Sequence, residues 1–221
     1  MEAFRSQFLD VGIMVQAWPI LLNGLGMTAL ICAIVIPLGL VGGLVAALAS
    51  LSRNRAVRWT AIAFVDLFRA VPPLVLLIFV YSGLPFAGFH LSPLQAVAIG
   101  FLLNNAAYYG EVYRAGILSV GRGQAEAARS TGLSATQALA HVVLPQAVRN
   151  VLPDLISNTV EVVKLTSLAS VVSLAELLYS ADMARSVTYN ASPIVAAAGL
   201  YLVILWPLVR LVSRLERRAV A

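Results

Sequence analysis

The segment GRGQAEAARSTGLSATQALAHVVLP, Gly121 to Pro145, is a polar stretch between two strongly apolar parts of the chain. Helix-forming residues precede Gly132, which can take the left-handed backbone conformation that ends many helices. Ser134, with Gln137 three positions later, fits a capping box and predicts a second helix from Ser134. That helix should end near Leu144, because a residue before proline is biased out of the helical region. The sequence therefore predicts two short helices joined at a glycine.

The composition places the chain in a lipid bilayer. Of its 221 residues 60% are hydrophobic and 11% are charged, and the mean hydropathy is +0.89. Soluble domains carry about 25% charged residues. The uncharged run from Val11 to Ser52 exceeds the apolar region of a signal peptide, about 7 to 15 residues, and lacks a small-residue cleavage site. We therefore expect an integral membrane protein that keeps this first apolar segment.

Five apolar segments are long enough for a membrane span, which needs about 20 residues. They are Leu25 to Leu51, Trp59 to about Ser82, Leu94 to about Leu118, about Pro153 to Val172, and Pro193 to Val212. The run from Val11 to Ser52 leaves open one tilted span or a tight pair of spans. Pro19 and Asn23-Gly24 make a poor helix centre and favour one span after them. We expect an all-α membrane protein with five transmembrane helices, forming one domain over residues 1–221.

Two local features add to this outline. Residues 1–10 place Phe4 and Phe8 between charges, which is typical of a short helix lying along the membrane surface. Gly39 and Gly43 form a G-x-x-x-G pattern, which allows a neighbouring helix to approach closely.

The basic residues predict the orientation. Most of the fifteen lie in three segments: Arg53 to Arg58, Arg114 to Arg149, and Arg210 to Arg218. Short loops rich in Lys and Arg face the cytoplasm, so the N-terminus is expected outside and the C-terminus in the cytoplasm. The formal net charge of +5 is thereby explained without a nucleic-acid partner, because the arginines form no patch interleaved with aromatic residues.

Charged residues also occur within the spans. Asp66 and Arg69 lie three apart in the second span, and Glu111 and Arg114 can pair on one face of the third.

The fourth span carries a polar stripe at helical steps of three and four: Asp154, Ser157, Asn158, Glu161 and Lys164. A charge at the bilayer centre costs at least ~2.5 kcal/mol, so the stripe should face a partner subunit or a water-filled cavity. Two interpretations stay open: Glu161 and Lys164 pair to hold helices together, or the stripe lines a substrate path.

The Gly121 to Pro145 segment resembles the EAA loop in the membrane subunits of bacterial ABC importers. The resemblance rests on Glu126, Ala127 and Ala128, then Gly132, then Val142, Leu144 and Pro145. In that family the loop is the socket for the ATPase subunit. The resemblance therefore implies an ATPase-coupling role for Glu126, Ala127, Ala128, Gly132 and Pro145 in a type I importer-like fold.

Further stretches resemble the polar amino acid branch of the same family. They are RAVPPL from Arg69, AAYYGEVYRAGI from Ala106, LPQAVRNVLPDLISN from Leu144 and KLTSL from Lys164, so the resemblance covers nearly the whole chain from the first span. Two residues depart from the family pattern. Leu165 stands where an acid or amide is usual, and Glu161 stands where an uncharged residue is expected.

The resemblance implies a permease subunit in the bacterial cytoplasmic (inner) membrane. The chain lacks a G-x-x-x-x-G-K-[ST] phosphate loop, so ATP and Mg are expected on a partner ABC ATP-binding subunit. We expect this chain to be no enzyme and to hold no cofactor or metal. The other expected partners are a second copy or a homologous permease, an extracytoplasmic substrate-binding protein and an amino acid.

An amino acid carries an ammonium and a carboxylate, which Glu161 and Lys164 can meet one helical turn apart. Asn158, Arg69 and Thr166 are the other substrate-binding candidates. An unpaired Glu161 favours a cationic amino acid, and a Glu161 tied to Lys164 gives no such preference. The alternative function is a self-contained ion-coupled carrier or channel, although the chain has no internal repeat. A membrane enzyme is disfavoured, because no nucleophile lies beside a base.

Overall fold

The computed structural model describes the backbone of residues 1–220 and the side chains of residues 1–214. The chain is 87% helical, and the described residues form no strand. Ten α-helices follow in order: α1 (Glu2–Phe8), α2 (Val11–Ser50), α3 (Arg55–Ala70), α4 (Pro73–Ile78), α5 (Pro93–Ser119), α6 (Arg122–Ser130), α7 (Ala135–Ala138), α8 (Leu144–Leu165), α9 (Leu177–Thr188) and α10 (Ser192–Val220). Phe79–Gly83 and Leu139–Val143 are π-helical, and Leu84–Ala87 and Thr166–Val172 are 3₁₀ turns.

Three stretches of the described chain are long and apolar enough to cross a membrane: Glu2–Ser50, Ala135–Val172 and Ser192–Arg214. Residues 55–70 and 73–87 make a fourth if they form one broken span. The expected third span corresponds to α5, which is long enough to cross a membrane. Its composition is too polar for it to be counted among these apolar stretches. Its Asn104 and Asn105 are buried, so these amides are shielded by protein. Five spans and their orientation therefore stay predictions.

The first apolar run is one helix. α2 continues for 40 residues through Pro19 and Pro37, as the single-span interpretation requires. It begins at Val11, earlier than the expected Leu25, and the surface helix predicted before it is present as α1. Membrane helices tolerate proline, because neighbouring groups and small backbone adjustments satisfy the freed carbonyls.

The predicted second span is broken into two helices. α3 ends at Ala70 and α4 begins at Pro73, with Val71 and Pro72 between them. The ring of Pro73 disfavours the helical region for Pro72, whose ψ is 133°, while Pro73 itself suits a helix start. The Pro72-Pro73 pair thus divides the segment.

Two predicted boundaries near α8 are also wrong. The helix from Ser134 does not stop near Leu144 but passes through the π-helical turn Leu139–Val143 directly into α8. Pro145 has no N–H to donate, and the π-helical turn before it lies where the regular hydrogen-bond pattern of the continuing helix is interrupted. The predicted start at Pro153 fails as well, since Pro153 lies inside α8.

The chain divides into two compact units. The first contains Met1–Pro37, Val71–Leu102 and Val160–Val209. Its core has two apolar clusters: one includes Val35, Leu77, Phe101 and Val162, and the other includes Leu21, Leu177, Ala181 and Ala197.

The second unit contains Leu38–Ala70, Leu103–Thr159 and the chain from Arg210. Ala47, Tyr109, Tyr113, Val151 and Leu155 form its core. Arg217 and Arg218, on which part of the topology prediction rests, have side chains outside the described residues. That residues 1–221 act as one permease domain remains a prediction.

Close packing in the second unit depends on glycine. A Cβ at Gly43 would lie 2.5 Å from the Cβ of Tyr109 and 2.8 Å from the amide nitrogen of Gly110. A Cβ at Gly39 would lie 3.3 Å from the ring of Tyr109. The predicted packing face on α2 is therefore confirmed, and its partner is α5.

We expect Gly43→Ala to lower the stability of the protein by about 1–3 kcal/mol, because the added methyl overpacks the contact with α5. Gly26→Ala is the matched control in the same helix, since a Cβ there would have no neighbour within 4 Å. Thermal unfolding of both variants in detergent tests this. Equal midpoints for the two variants would contradict a close α2–α5 contact.

Candidate functional site

The coupling segment, Gly121 to Pro145, contains the glycine turn and the capping box that its sequence predicts. α6 ends at Ser130, and Gly132 takes a left-handed backbone with φ of +92°. Ser134 Oγ accepts from the Gln137 amide at 3.2 Å, while Gln137 Oε1 accepts from the Ser134 amide at 2.9 Å. The capping box and the glycine turn are both confirmed.

The coupling segment exposes some of its candidate residues and buries one. Glu126, Ala127, Gly132 and Pro145 are exposed, and Ala128 is buried. Ala128 therefore packs the segment against its own unit, and Glu126 and Ala127 are among the residues of α6 that a partner can reach.

The predicted polar stripe of α8 lies outside the core. Its residues are exposed or half-buried, while Val151, Leu155, Val162 and Val163 on other faces of the helix are buried. Lys164 Nζ donates to Glu161 Oε1 at 2.5 Å, with side chains 50% and 66% exposed. These two candidates thus form an ion pair, and more than half of the pair is exposed at the surface of the chain.

Asn158 carries an unsatisfied group in the same stripe. Its amide nitrogen, Nδ2, is buried and has no hydrogen-bond partner among the described side chains and backbone. A buried donor without an acceptor costs about 1–3 kcal/mol. This nitrogen is therefore available to an acceptor that the isolated chain does not supply.

The other two substrate candidates have partners of their own. Thr166 is fully buried, and its hydroxyl donates to the carbonyl of Val163 at 2.7 Å. Arg69 lies 5.6 Å above the ring of Tyr108 and 3.8 Å from Glu111 Oε2. Among the described side chains, Thr166 forms no hydrogen bond with Glu161 or Lys164.

The predicted pair in α5 is confirmed. Arg114 Nε donates to Glu111 Oε2 at 2.9 Å, and its terminal nitrogen donates to Glu111 Oε1 at 2.5 Å. This two-bond geometry matches the planar guanidinium to the carboxylate and orients both side chains.

No sequence-based prediction concerns Glu176, which lies between the expected fourth and fifth spans. The structure buries it completely at the N-terminus of α9. Its carboxylate accepts from the amides of Leu178 and Tyr179, both at 2.8 Å, and from the Tyr201 hydroxyl at 3.1 Å. Burial raises the pKa of Glu176. An acid directly before an apolar helical run is the available signal for such a cap.

Among the side chains of residues 1–214, no group of three or more His, Cys, Asp or Glu residues could hold a metal ion. The chemistry that these residues offer is therefore charge pairing and hydrogen bonding.

Comparison with known proteins decides the family. Residues 39–220 match the binding-protein-dependent transport system inner membrane component family. The chain belongs to this family. It is an ABC transporter permease for amino acids, a membrane subunit of the importer class. This membership favours a component of a larger importer over a self-contained carrier or channel.

Relatives of this permease cover almost its whole length. It is 34% identical over 211 residues to the probable glutamine ABC transporter permease protein GlnM of Bacillus subtilis, covering 95% of this chain and 98% of the relative. It is 31% identical over 212 residues to the arginine transport system permease protein ArtQ of the same organism, covering 95% and 97%.

Solved structures agree with the fold. A crystal structure of an amino acid ABC transporter with histidines matches with a TM-score of 0.86 and 34% identity, covering 95% of this permease and 99% of that chain. The MetNI methionine ABC transporter in an inward-facing conformation matches with a TM-score of 0.76 at 20% identity, covering 96% and 99%. The second match supports the fold alone.

Proposed function

We propose that this permease is one of two membrane subunits in an ATP-driven importer of polar amino acids, and that the α8 stripe lines its substrate path. The observation that carries the proposal is the exposed ion pair of Glu161 and Lys164 on a stretch long and apolar enough to span a membrane. Lipid contact would cost at least ~2.5 kcal/mol for each charge near the bilayer centre. A water-filled path or a second subunit must therefore cover the stripe.

The chemistry of the stripe matches both ends of an amino acid. Glu161 can accept from a substrate ammonium, and Lys164 can donate to the carboxylate. The unpaired Nδ2 of Asn158 supplies a second donor for that carboxylate, and binding would recover its lost hydrogen bond. Arg69 and Thr166 already have other partners, so the proposal rests on these three residues.

The ion pair also bears on the choice of substrate. In this structure Glu161 is tied to Lys164, so it offers no net negative charge to a cationic side chain. We infer a polar amino acid without a strong preference for a positive side chain. One relative is named for glutamine transport and another for arginine transport. Relatives with neutral and cationic substrates are consistent with a path in which the charges of Glu161 and Lys164 balance.

The partners follow from the family and from the exposed surfaces. An ATP-binding subunit would dock on Glu126, Ala127 and the turn at Gly132, and it would bind ATP and Mg and carry out the hydrolysis. A soluble substrate-binding protein would deliver the amino acid at the outer face, and the family description, a binding-protein-dependent transport system, supports such a partner. A second copy or a homologous permease would complete the path. The complex would lie in the bacterial cytoplasmic membrane.

The proposed orientation places the N-terminus outside and the C-terminus in the cytoplasm, since Arg53, Arg55 and Arg58 precede the apolar part of α3. A green fluorescent protein fused after Ala221 should therefore fluoresce, and alkaline phosphatase at the same point should be inactive. A dark fluorescent fusion with an active phosphatase fusion would reverse the topology.

Coupling should depend on the turn at Gly132. Gly132→Val forces a branched side chain into a left-handed backbone, at a cost of about 1–2 kcal/mol. If the strain is relieved by moving the turn, the ATP-binding subunit should bind about tenfold more weakly, and uptake should fall with it. Co-purification in detergent and uptake into proteoliposomes measure the two effects.

Gly88→Val is the matched control for Gly132→Val. Gly88 has a φ of +86° and, like Gly132, no neighbour within 4 Å of a Cβ, but it lies outside the coupling segment. It should lose similar stability and keep the ATP-binding subunit. Wild-type uptake and full retention of that subunit in Gly132→Val would show that the segment is not the socket.

Substrate contact at Glu161 is tested by Glu161→Gln, which nearly preserves volume and removes the charge. Ligand-stimulated ATP hydrolysis and uptake should each fall by about tenfold, the effect of losing one charge-assisted hydrogen bond, while basal hydrolysis remains. Assays of the reconstituted complex measure both rates.

A charge exchange separates substrate binding from helix packing. Glu161→Lys combined with Lys164→Glu keeps an ion pair three residues apart but exchanges the acceptor and the donor. Uptake should remain low if the pair meets the substrate. Uptake restored to the wild-type rate would mean that the pair only holds helices together.

A further inference from the structure

A surface cavity of about 400 Å³ lies in the first unit, where the end of α1 meets the end of α9. Because each water occupies about 30 Å³, the cavity has room for about thirteen non-hydrogen atoms. That is enough for a phosphate group and the glycerol beside it. The residues that line the cavity are Gln7, Arg185, Ser186, Tyr189, Asn190 and Ala191, and Arg185 is the charged one among them.

Hydrogen bonds between α1 and the chain after α9 hold the walls of this cavity. The side chain of Gln7 donates to the carbonyl of Tyr189 at 3.1 Å, and the backbone carbonyl of Gln7 accepts from the amide of Ala191 at 3.0 Å. The side chain of Asn190 donates to the carbonyl of Ser6 at 2.8 Å. The two side-chain bonds join residues 182 and 184 positions apart, so the cavity is built by the tertiary fold.

Arg185 is oriented by one carboxylate oxygen and keeps donors for a ligand. Its Nε donates to Asp182 Oδ1 at 2.8 Å, and its Nη2 lies 2.7 Å from the same oxygen. Two of the five guanidinium N–H donors are thus used, and the described side chains and backbone form no hydrogen bond with the other three. The edge formed by Nη1 and Nη2 is therefore free, and its planar geometry matches two oxygens of a phosphate.

Tyr189 supplies a second free donor. This residue is 89% exposed beside the cavity, and its hydroxyl has no hydrogen-bond partner among the described side chains and backbone. Tyr189 also ends α9 in a left-handed backbone with φ of +49°, a conformation that glycine or asparagine adopts at lower cost. The turn by itself therefore does not favour tyrosine, whereas tyrosine is enriched where membrane proteins pass from lipid to water.

Exposed apolar residues place the cavity at the membrane surface. Phe4 and Phe8 on α1 are stacked with ring centroids 4.8 Å apart, and α1 buries no residue. A groove of about 570 Å³ between α2 and α9 is lined mainly by the apolar residues Ile13, Ala17, Ile20, Met183 and Val187. Covering these side chains with hydrocarbon is favourable and leaving them in water is not. Lipid chains should therefore lie beside α1 and α9, with headgroups at the level of the cavity.

We infer that the cavity binds the phosphate group of a membrane phospholipid, with phosphate oxygens on the free edge of Arg185 and on the Tyr189 hydroxyl. Asp182 is not among the lining residues, so its carboxylate holds the guanidinium from the other edge. A soluble protein fits this surface less well, because Phe4 and Phe8 would have to leave lipid to meet it. The bound lipid would fix α1 and the end of α9 at the membrane surface.

The inference rests neither on the proposed substrate path nor on the coupling segment. None of the lining residues belongs to the α8 stripe or to Gly121 to Pro145. In the proposed orientation, α1 and the start of α2 lie at the outer face, so the lipid would come from the outer leaflet. A soluble phosphate ester shares the phosphate chemistry, and the contribution of the acyl chains separates the two sources.

Native mass spectrometry of the full chain in detergent tests the inference. Phosphatidylglycerol is compared with diacylglycerol of the same acyl chains, which lacks the phosphate. We expect phosphatidylglycerol to bind at least about tenfold more tightly at its tightest site, the effect of one charge-assisted hydrogen bond. Glycerol phosphate has the phosphate but no acyl chain. It should displace phosphatidylglycerol only at a concentration at least about tenfold higher, since it covers no apolar surface.

Variants assign the contact. Arg185→Gln removes the guanidinium and should weaken the tightest phosphatidylglycerol binding by about tenfold, while diacylglycerol binding stays unchanged. Arg5→Gln is the matched control, because Arg5 is an exposed arginine on α1 that does not line the cavity. It should keep wild-type binding. Thermal unfolding establishes that each variant is folded, and the comparison of lipids on the unaltered chain needs no variant.

Several results would overturn the inference. Equal binding of phosphatidylglycerol and diacylglycerol would show that the phosphate is not recognised. Unchanged phosphatidylglycerol binding in Arg185→Gln, or an equal loss in Arg5→Gln, would show that the cavity is not the site. Displacement by an equal concentration of glycerol phosphate would assign the cavity to a soluble phosphate ester. An Arg185→Gln complex that keeps lipid binding but loses its substrate-binding protein would assign this surface to that protein.

Discussion

Placing an unpaired charge in hydrocarbon costs at least ~2.5 kcal/mol, and the charged residues of this permease are arranged around that cost. Glu161 is paired with Lys164 and Glu111 with Arg114, each three residues apart on one helix. Glu176 is buried and accepts three hydrogen bonds at the start of α9. Pairing within a helix lets a charged residue enter the bilayer before a partner subunit is present. These paired side chains are still partly exposed, and water, substrate or another subunit would cover their exposed sides.

Proline organises the backbone within the same constraint. Pro72 and Pro73 divide the second apolar segment, whereas Pro19, Pro37 and Pro153 lie inside helices that continue. The difference is local, because two consecutive prolines remove two donors and restrict two preceding residues. At Pro145 the π-helical turn before it allows the coupling segment to run directly into α8. This helical connection leads from the proposed docking surface to the polar stripe, so it would be the route by which ATP hydrolysis on a partner subunit acts on the proposed path.

Local sequence chemistry predicted the coupling segment in detail. Gly132 has its left-handed backbone, Ser134 and Gln137 form the capping box, and Glu111 pairs with Arg114. Each of these depends on residues within four positions of one another, so the backbone geometry of a helix or a turn is enough to specify them. The wrong boundaries, at Leu144 and Pro153, and the unpredicted break at Pro72-Pro73 all concern whether a helix continues through a proline. A single proline leaves one backbone carbonyl of the helix without its donor. Whether the helix continues depends on which neighbouring groups can satisfy that carbonyl.

The sequence by itself determined the membrane class, the family and the residues able to carry charge within the spans, because composition and short motifs are local properties. Tertiary structure decided which of those residues meet. It placed Arg69 over the ring of Tyr108 and near Glu111, buried Thr166, and buried Glu176 within hydrogen-bond distance of Tyr201. It also left Asn158 Nδ2 without a partner. Contacts between α3 and α5, or between α9 and α10, join residues about 25 to 45 positions apart, and helical periodicity carries no information over that separation.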